Sequence, residues 1–309
     1  MLKKIIIAML FSLLFVQVDW EELKGSGFAD KENTTNVMSS DYNYAFNSIS
    51  ESFINEQIWN SGFRYLVHKQ NLEIDLIFKY ISFFCIFIFA LLVIVEGHNL
   101  ILLFLINPLI VDFCFSQYRS ALALALLFLA YMLSKKRPYL GVLILIPTIF
   151  IHSSMVLFLS IYFLISILVK KFRGQEKKLM FYCFLLSIVI CLSLGPFRDV
   201  ILTYLNDRRA SGEYYHHSGF LFSLFWIILS GFFLIQRKSF YTNKLLLTGI
   251  VLIFIYLINT LVLNIYGSRF LSVGFVLFLL AISKFKVSHL KIIIPLFCLN
   301  SLLQWIYWL

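Results

Sequence analysis

Between residues 76 and 308 the sequence is a succession of apolar runs, most of them parted only by short charged loops. Their approximate limits are 76–95, 99–115, 119–134, 139–151, 154–169, 179–195, 220–235, 245–263, 268–283 and 290–308. A helix crosses a bilayer with about 20 apolar residues, and with fewer where the crossing is short. Runs this closely spaced cannot all be hidden in one soluble core. Of the 309 residues 61% are apolar and 14% charged, against about 45–50% and about 25% in soluble domains. Disorder, a disulfide scaffold, a coiled coil and a soluble Rossmann-type enzyme are excluded at this step. The expectation is an all-α, polytopic transmembrane helical bundle. Cys85, Cys114, Cys183, Cys191 and Cys298 lie in or at the ends of apolar runs, with no CxxC pair. They read as small apolar residues rather than as disulfides or metal ligands.

Lys3 and Lys4 precede a further apolar run, Ile5 to Val18. It is short enough to be a signal-peptide core, but no small-x-small cleavage site follows it. Residues 1–18 therefore read as a retained first helix, bringing the count to about eleven spans. Residues 19–75 are polar and acidic, with aromatic islands such as Tyr42, Trp59 and Phe63. They are expected to form an ordered external loop, and residues 76–309 the polytopic membrane domain. Cytoplasmic loops collect Lys and Arg. In the eleven-span arrangement 16 of the 26 basic residues fall on the side of the N-terminus, which is thereby cytoplasmic. The turn Glu96-Gly97-His98 has no basic residue, so that hairpin lacks support from the rule. The stretch 139–169 reads as two crossings rather than one broken helix, because the later basic loops then fall inside. The formal charge of +10 follows from this asymmetry. No basic-aromatic tract outside the spans points to nucleic acid.

The opposite side is more informative. After residue 80 its basic residues are Arg119, Arg198, Arg208, Arg209 and Arg269, although the chain holds 17 Lys and 9 Arg. Lys satisfies loop topology as well as Arg does, but the planar guanidinium fork matches phosphate. Arg119 opens a helix rich in small residues (Ala121, Ala123, Ala125), which permits close helix contact. A helix start is favourable for anions, and the arginine adds a bidentate donor. A snorkelling interfacial arginine is the plainer reading. His152, between two apolar runs, is an ionisable side chain at membrane depth, suited to act as base or donor near neutral pH. A neutral histidine bonded to a neighbouring helix is its plainer reading. The external loop 196–219 gathers Arg198, Arg208 and Arg209 with Tyr214, Tyr215, His216 and His217. Its arginines suit a diphosphate and its aromatics the face of a sugar, unless it is only a solvated loop. The adjacent histidines do not converge on a metal, and no HExxH spacing occurs. No P-loop, GxSxG, GxGxxG or haem motif is present, so no cofactor is implied.

Taken together, Arg119-x-x-Leu122-Ala123-x-Ala125, the basic turn Lys135-Lys136-Arg137 and His152-x-Ser154 resemble the EpsG-like / Wzy-type family of bacterial polysaccharide (O-antigen) polymerases. Asp41-Tyr42, Tyr44, Gly62-Phe63 and Arg269 extend the resemblance, which covers about residues 40–285. Ser120 departs from it, since glutamine usually follows the arginine. The resemblance implies a glycosyltransferase-C-like architecture in the bacterial inner membrane. It also implies an enzyme that joins undecaprenyl-diphosphate-linked oligosaccharide repeat units into a surface polysaccharide such as O-antigen, capsule or exopolysaccharide. Its partners would be that lipid-linked substrate, membrane lipids, a chain-length regulator and a flippase. Arginine forks at the outer boundary would neutralise the leaving diphosphate without a metal, and direct displacement would invert the anomeric centre. His152 is the first candidate base, with Asp41, His216 and His217 behind it.

Three other readings stand beside this one. A glycosyltransferase-C enzyme adding one sugar would use an acidic base near Glu22, in the group Asp19, Glu21 and Glu22. A lipid-linked-glycan flippase or transporter would carry internal repeats and buried mid-span charges, and neither is evident apart from His152. A scaffold subunit of an envelope complex would not need an all-arginine outer boundary.

Overall fold

The computed structural model of the protein describes residues 2–39, 48–204, 220–236, 238–263, 265 and 267–309. These are helical throughout, with no strand among them. Each apolar run of the sequence has become helix. Among the described residues four helices are long and apolar enough to cross a membrane: α6 (Ile74–Glu96), α11 (Glu176–Leu194), α14 with its π-helical extension (Lys244–Leu263) and α16 (Val287–Trp308). A fifth candidate is the pair α7 (Pro108–Phe115) and α8 (Tyr118–Ser134), bent by 102°. Shorter helices fill the remaining runs, among them α1 (Leu2–Gln17), α9 (Pro138–Ile151), α10 (Met155–Lys171) and α15 (Ser268–Ser283).

The run 99–115 is not a single helix. A 3-10 helix, Asn99–Leu105, is followed by the eight-residue α7. Proline disfavours helical geometry in the residue before it, and Asn107 precedes Pro108 in extended conformation. Asn107 then caps α7 by accepting a hydrogen bond from the Leu109 amide at 2.9 Å. The run 139–169 divides at His152, which is extended (φ −151°, ψ 115°).

The chain forms two compact units, residues 1–158 with 305–309, and residues 159–304. In the first, α1 and α6 run antiparallel: Lys4, at the start of α1, donates to the Ile94 carbonyl near the end of α6 at 2.9 Å. α8 runs parallel to α6, with Tyr118 stacked on Phe78 and Phe128 edge-on to Phe89 further along. At the far end of that pair Lys135 bonds Glu96 at 2.5 Å. The turn at Glu96, without a basic residue of its own, thus lies beside Lys4 and the basic cluster that starts at Lys135.

The opposite end of this unit carries the described residues of the polar segment 19–75, which form short helices. α2 (Trp20–Lys24) is capped by the Asp19 carboxylate and closed by Gly25, whose left-handed φ of 67° a glycine adopts without strain. Lys31 of α3 (Ala29–Ser39) lies 3.0 Å from both Glu21 and Asp75, tying α3 to α2 and to the start of α6. Ser48 caps α4 (Ile49–Ile54) by accepting from the Glu51 amide, in the Ser-x-x-Glu pattern of a helix start. α5 (Gln57–Arg64) buries Trp59 and Phe63, four residues apart and so on one face. These rings join Met38, Ile77, Phe78, Tyr118, Ile151 and Met155 in one apolar cluster.

In the second unit α14 and α15 pack closely. A Cβ on Gly249 would stand 3.1 Å from the Leu277 side chain, so glycine lets the two backbones approach. Trp226, almost wholly buried, packs edge-on against Phe278 and Tyr256.

Candidate functional site

Tyr118 and Ile151 of the apolar cluster adjoin Arg119 and His152, which meet on Glu56. α4 ends at Asn55, and Glu56 turns the chain into α5 in the left-handed region, at φ 52° and ψ 56°. That conformation is uncommon for a residue with a side chain, and a strained backbone inside a polar cluster directs attention to function. The turn aims the Glu56 carboxylate inward, where only 7% of its side chain remains exposed. One oxygen, Oε2, accepts from Arg119 at 2.7 Å. The other, Oε1, lies 2.6 Å from Nδ1 of His152 and accepts from the Ser153 amide at 3.2 Å.

Each partner is placed by a helix end. Arg119 is the second residue of α8, anchored by its neighbour Tyr118, whose ring centroid lies 4.1 Å from that of Phe78. His152 caps the C-terminus of α9, its amide bonded to the Thr148 carbonyl. Its extended backbone carries the imidazole off the helix axis toward Glu56. Residues 63 and 96 positions from Glu56 in sequence meet on its two oxygens.

The electrostatics follow from this geometry. Burial raises the pKa of the Glu56 carboxyl. The hydrogen bond and charge of His152, the charge of Arg119 and the Ser153 amide together outweigh burial and lower it to about 2. Glu56 is therefore a fixed anion. When the imidazole is neutral, an anion on Nδ1 holds its one proton at that nitrogen and leaves Nε2 as an acceptor, whereas in the imidazolium, the form whose charge acts on Glu56, both nitrogens donate. Arg119 uses one guanidinium nitrogen on Glu56 and keeps 43% of its side chain exposed. The arrangement offers a proton acceptor and a fork of cationic donors, organised by one buried carboxylate. Arg119 and His152 were legible in the sequence, and Glu56 was not.

Of the other residues singled out by the sequence, Asp41, Arg208, Arg209, Tyr214, Tyr215, His216 and His217 lie outside the described residues. Arg198 and Arg269 belong to the second compact unit. Arg198 opens α12 (Arg198–Tyr204) and bonds Asp199 at 2.8 Å. Arg269 is exposed in the first turn of α15. Among the acidic residues near the first helix, Asp19 caps α2, Glu21 pairs with Lys31, and Glu22 is exposed on the five-residue α2. No family model, no curated protein and no solved structure matches the chain.

Proposed function

We propose that the protein is a membrane-embedded, inverting glycosyltransferase of the EpsG-like / Wzy type, joining lipid-diphosphate-linked oligosaccharide units into a surface polysaccharide. What carries the proposal is the joint seat of Arg119 and His152 on Glu56. The two residues that the sequence pattern marks for diphosphate binding and proton removal share one buried counter-ion.

In the proposed reaction a hydroxyl of the acceptor sugar attacks C1 of the sugar carried on undecaprenyl diphosphate. Its proton passes to Nε2 of His152 as the new C–O bond forms. The bond from C1 to the diphosphate oxygen breaks, and its electron pair leaves with the diphosphate. The exposed donors of the Arg119 guanidinium stabilise that growing negative charge. Glu56 touches neither reactant in this scheme. It is a positioning residue that fixes the imidazole tautomer and favours the imidazolium that forms, as the carboxylate does beside other catalytic histidines. Backside displacement inverts the anomeric centre. About eleven spans, a glycosyltransferase-C-like bundle and an outer-facing site in the inner membrane of a bacterium belong to the same proposal. A single-sugar transferase with Glu22 as base has less support, because Glu22 is exposed on the five-residue α2.

The test is a polymer-length profile on a gel from a host in which the gene is deleted and then restored. Loss of the ladder in the deletion strain, with single repeat units still reaching the surface, and its return with wild type but not with His152→Ala, is the expected result. Loss of all surface glycan, with lipid-linked units trapped inside, would make the protein a flippase. An unchanged ladder would remove it from the pathway.

A further inference from the structure

The chain is helical on both sides of Glu56, as α4 and α5. With Glu56 in the right-handed region the two would run on as one helix, and its side chain would follow the new axis away from Arg119 and His152. The left-handed region is costly for a residue with a Cβ, so something must hold the break open. Glu56 occupies the cap position of α5 and yet makes no side-chain cap bond. Its carboxylate is taken up by Arg119, His152 and the Ser153 amide instead.

Asn60, buried in the first turn of α5, brackets that break. Its backbone amide donates to the Glu56 carbonyl at 3.0 Å, the ordinary contact of a helix four residues back. Its side-chain Nδ2 reaches one residue further and donates to the Asn55 carbonyl at 2.5 Å. Those two carbonyls belong to the peptide units on either side of the Glu56 α-carbon. The φ and ψ of Glu56 are the rotations that set those two units relative to each other, and Asn60 holds both. Asparagine is a weak helix former because its amide competes for backbone groups. Here that competition supplies the tie across the break.

We propose that Asn60 is a positioning residue of this site: its side-chain amide latches the break between α4 and α5 and so keeps the Glu56 carboxylate on Arg119 and His152. It touches neither reactant and acts through Glu56. The inference rests on the reaction proposed above for what the site does, and the latch itself stands on geometry. It has a consequence for pH. Arg119 from α8, His152 from the end of α9 and the Ser153 amide hold the carboxyl of Glu56 at about 2 against an ordinary 4.5. Stability from that depression is lost as pH falls from about 4.5 through 2. With the latch cut, the carboxylate leaves its seat, its pKa returns toward the ordinary value, and this loss disappears.

The test follows thermal unfolding of purified full-length protein in detergent from pH 7 to pH 3, for wild type, Asn60→Ala, Glu56→Gln and the double variant. Asn60→Ala should melt below wild type at pH 7, and the gap should close below about pH 4.5, as it should for Glu56→Gln. The double variant should melt close to the lower of the two single variants, because both changes remove the same seat. A gap that stays constant with pH would make Asn60 a plain support of the fold and overturn the proposal. Losses that add in full in the double variant would do the same. Asn60→Ser, whose hydroxyl is too short to reach the Asn55 carbonyl, carries the same expectations and decides the matter if Asn60→Ala does not fold. In the host, Asn60→Ala should shorten the polymer ladder as Glu56→Gln does. Because unfolding does not depend on glycan chemistry, a protein that shows the pH profile and lengthens no glycan would refute the polymerase and leave the latch standing. A polymerase whose Asn60→Ala gap is constant with pH would do the reverse.

Discussion

Nδ1 of His152 lies 2.6 Å from Oε1 of Glu56, a contact closed across 96 residues of sequence. It turns a histidine at the end of α9 into an oriented one, because a carboxylate on one ring nitrogen decides what the other can do. Glu56→Gln keeps the shape and removes the charge. If the amide oxygen accepts from His152, its NH2 faces Arg119, and that second contact is then between two donors. Loss of a positioned acid or base costs on the order of 10²–10⁴ in rate. Glu56→Gln is expected to shorten or abolish the polymer ladder at unchanged protein abundance in the membrane. A full ladder would show that Glu56 serves folding alone.

The same carboxylate makes stability depend on pH. Its pKa falls from the ordinary 4.5 to about 2 in the folded protein. A group depressed on folding contributes stability that is complete above its unfolded value and is lost as pH falls from about 4.5 through 2. The contribution near neutral pH is on the order of 3 kcal/mol. Thermal unfolding in detergent, followed from pH 7 to pH 3, should show wild type losing its advantage over Glu56→Gln below about pH 4.5. A constant difference across that range would mean that the carboxylate is not held ionised by its partners.

Arg119 separates charge from geometry. Lysine at this position can still meet Oε2 of Glu56, but it lacks the fork that would reach a diphosphate at the same time. Arg119→Lys is expected to retain protein abundance and yield a shortened ladder, and Arg119→Ala none. Equal ladders from Arg119→Lys and wild type would reduce the requirement to a point charge.

The ends of the first unit give a topology prediction. Lys4, Glu96 and Lys135 gather at one end, and Ser48, Glu56 and the start of α8 at the other. In a background with the exposed Cys298 replaced by Ser, Glu96→Cys and Lys135→Cys should both resist an impermeant maleimide in intact cells. Ser48→Cys should react. Because Lys135 and Glu96 are part-exposed, breaking their pair should cost no more than about 1 kcal/mol. Labelling of Glu96→Cys and Lys135→Cys from opposite sides would contradict the arrangement of helices α6 to α8.

The sequence disclosed most of the helices, because apolar runs leave little else to form. It disclosed less of how they are broken. The run 99–115 reads as one span from hydropathy, yet Asn107-Pro108 splits it, a local effect visible once the proline is weighed against the apolar residues around it. Arg119 and His152 stood out as ionisable residues at the edges of apolar runs. Glu56 did not, being one carboxylate among many in an acidic stretch and carrying no motif. Its role depends on a left-handed turn and on contacts 63 and 96 residues away, which hydrophobic periodicity does not encode. The Ser48-x-x-Glu51 helix start was a usable signal that the segment around it is ordered. The remaining residues of the sequence-based site lie either outside the described residues or in the second unit.

The account is tested most directly in a purified system. Lipid-linked repeat units extracted from a host lacking the gene would be added to the protein in nanodiscs, and elongated glycan and released lipid diphosphate measured together. Wild type should produce chains of two or more repeats with one lipid diphosphate freed per bond, and His152→Ala should produce neither. Repeat units left unchanged by well-folded wild-type protein, or elongation undiminished in His152→Ala, would contradict the central claim.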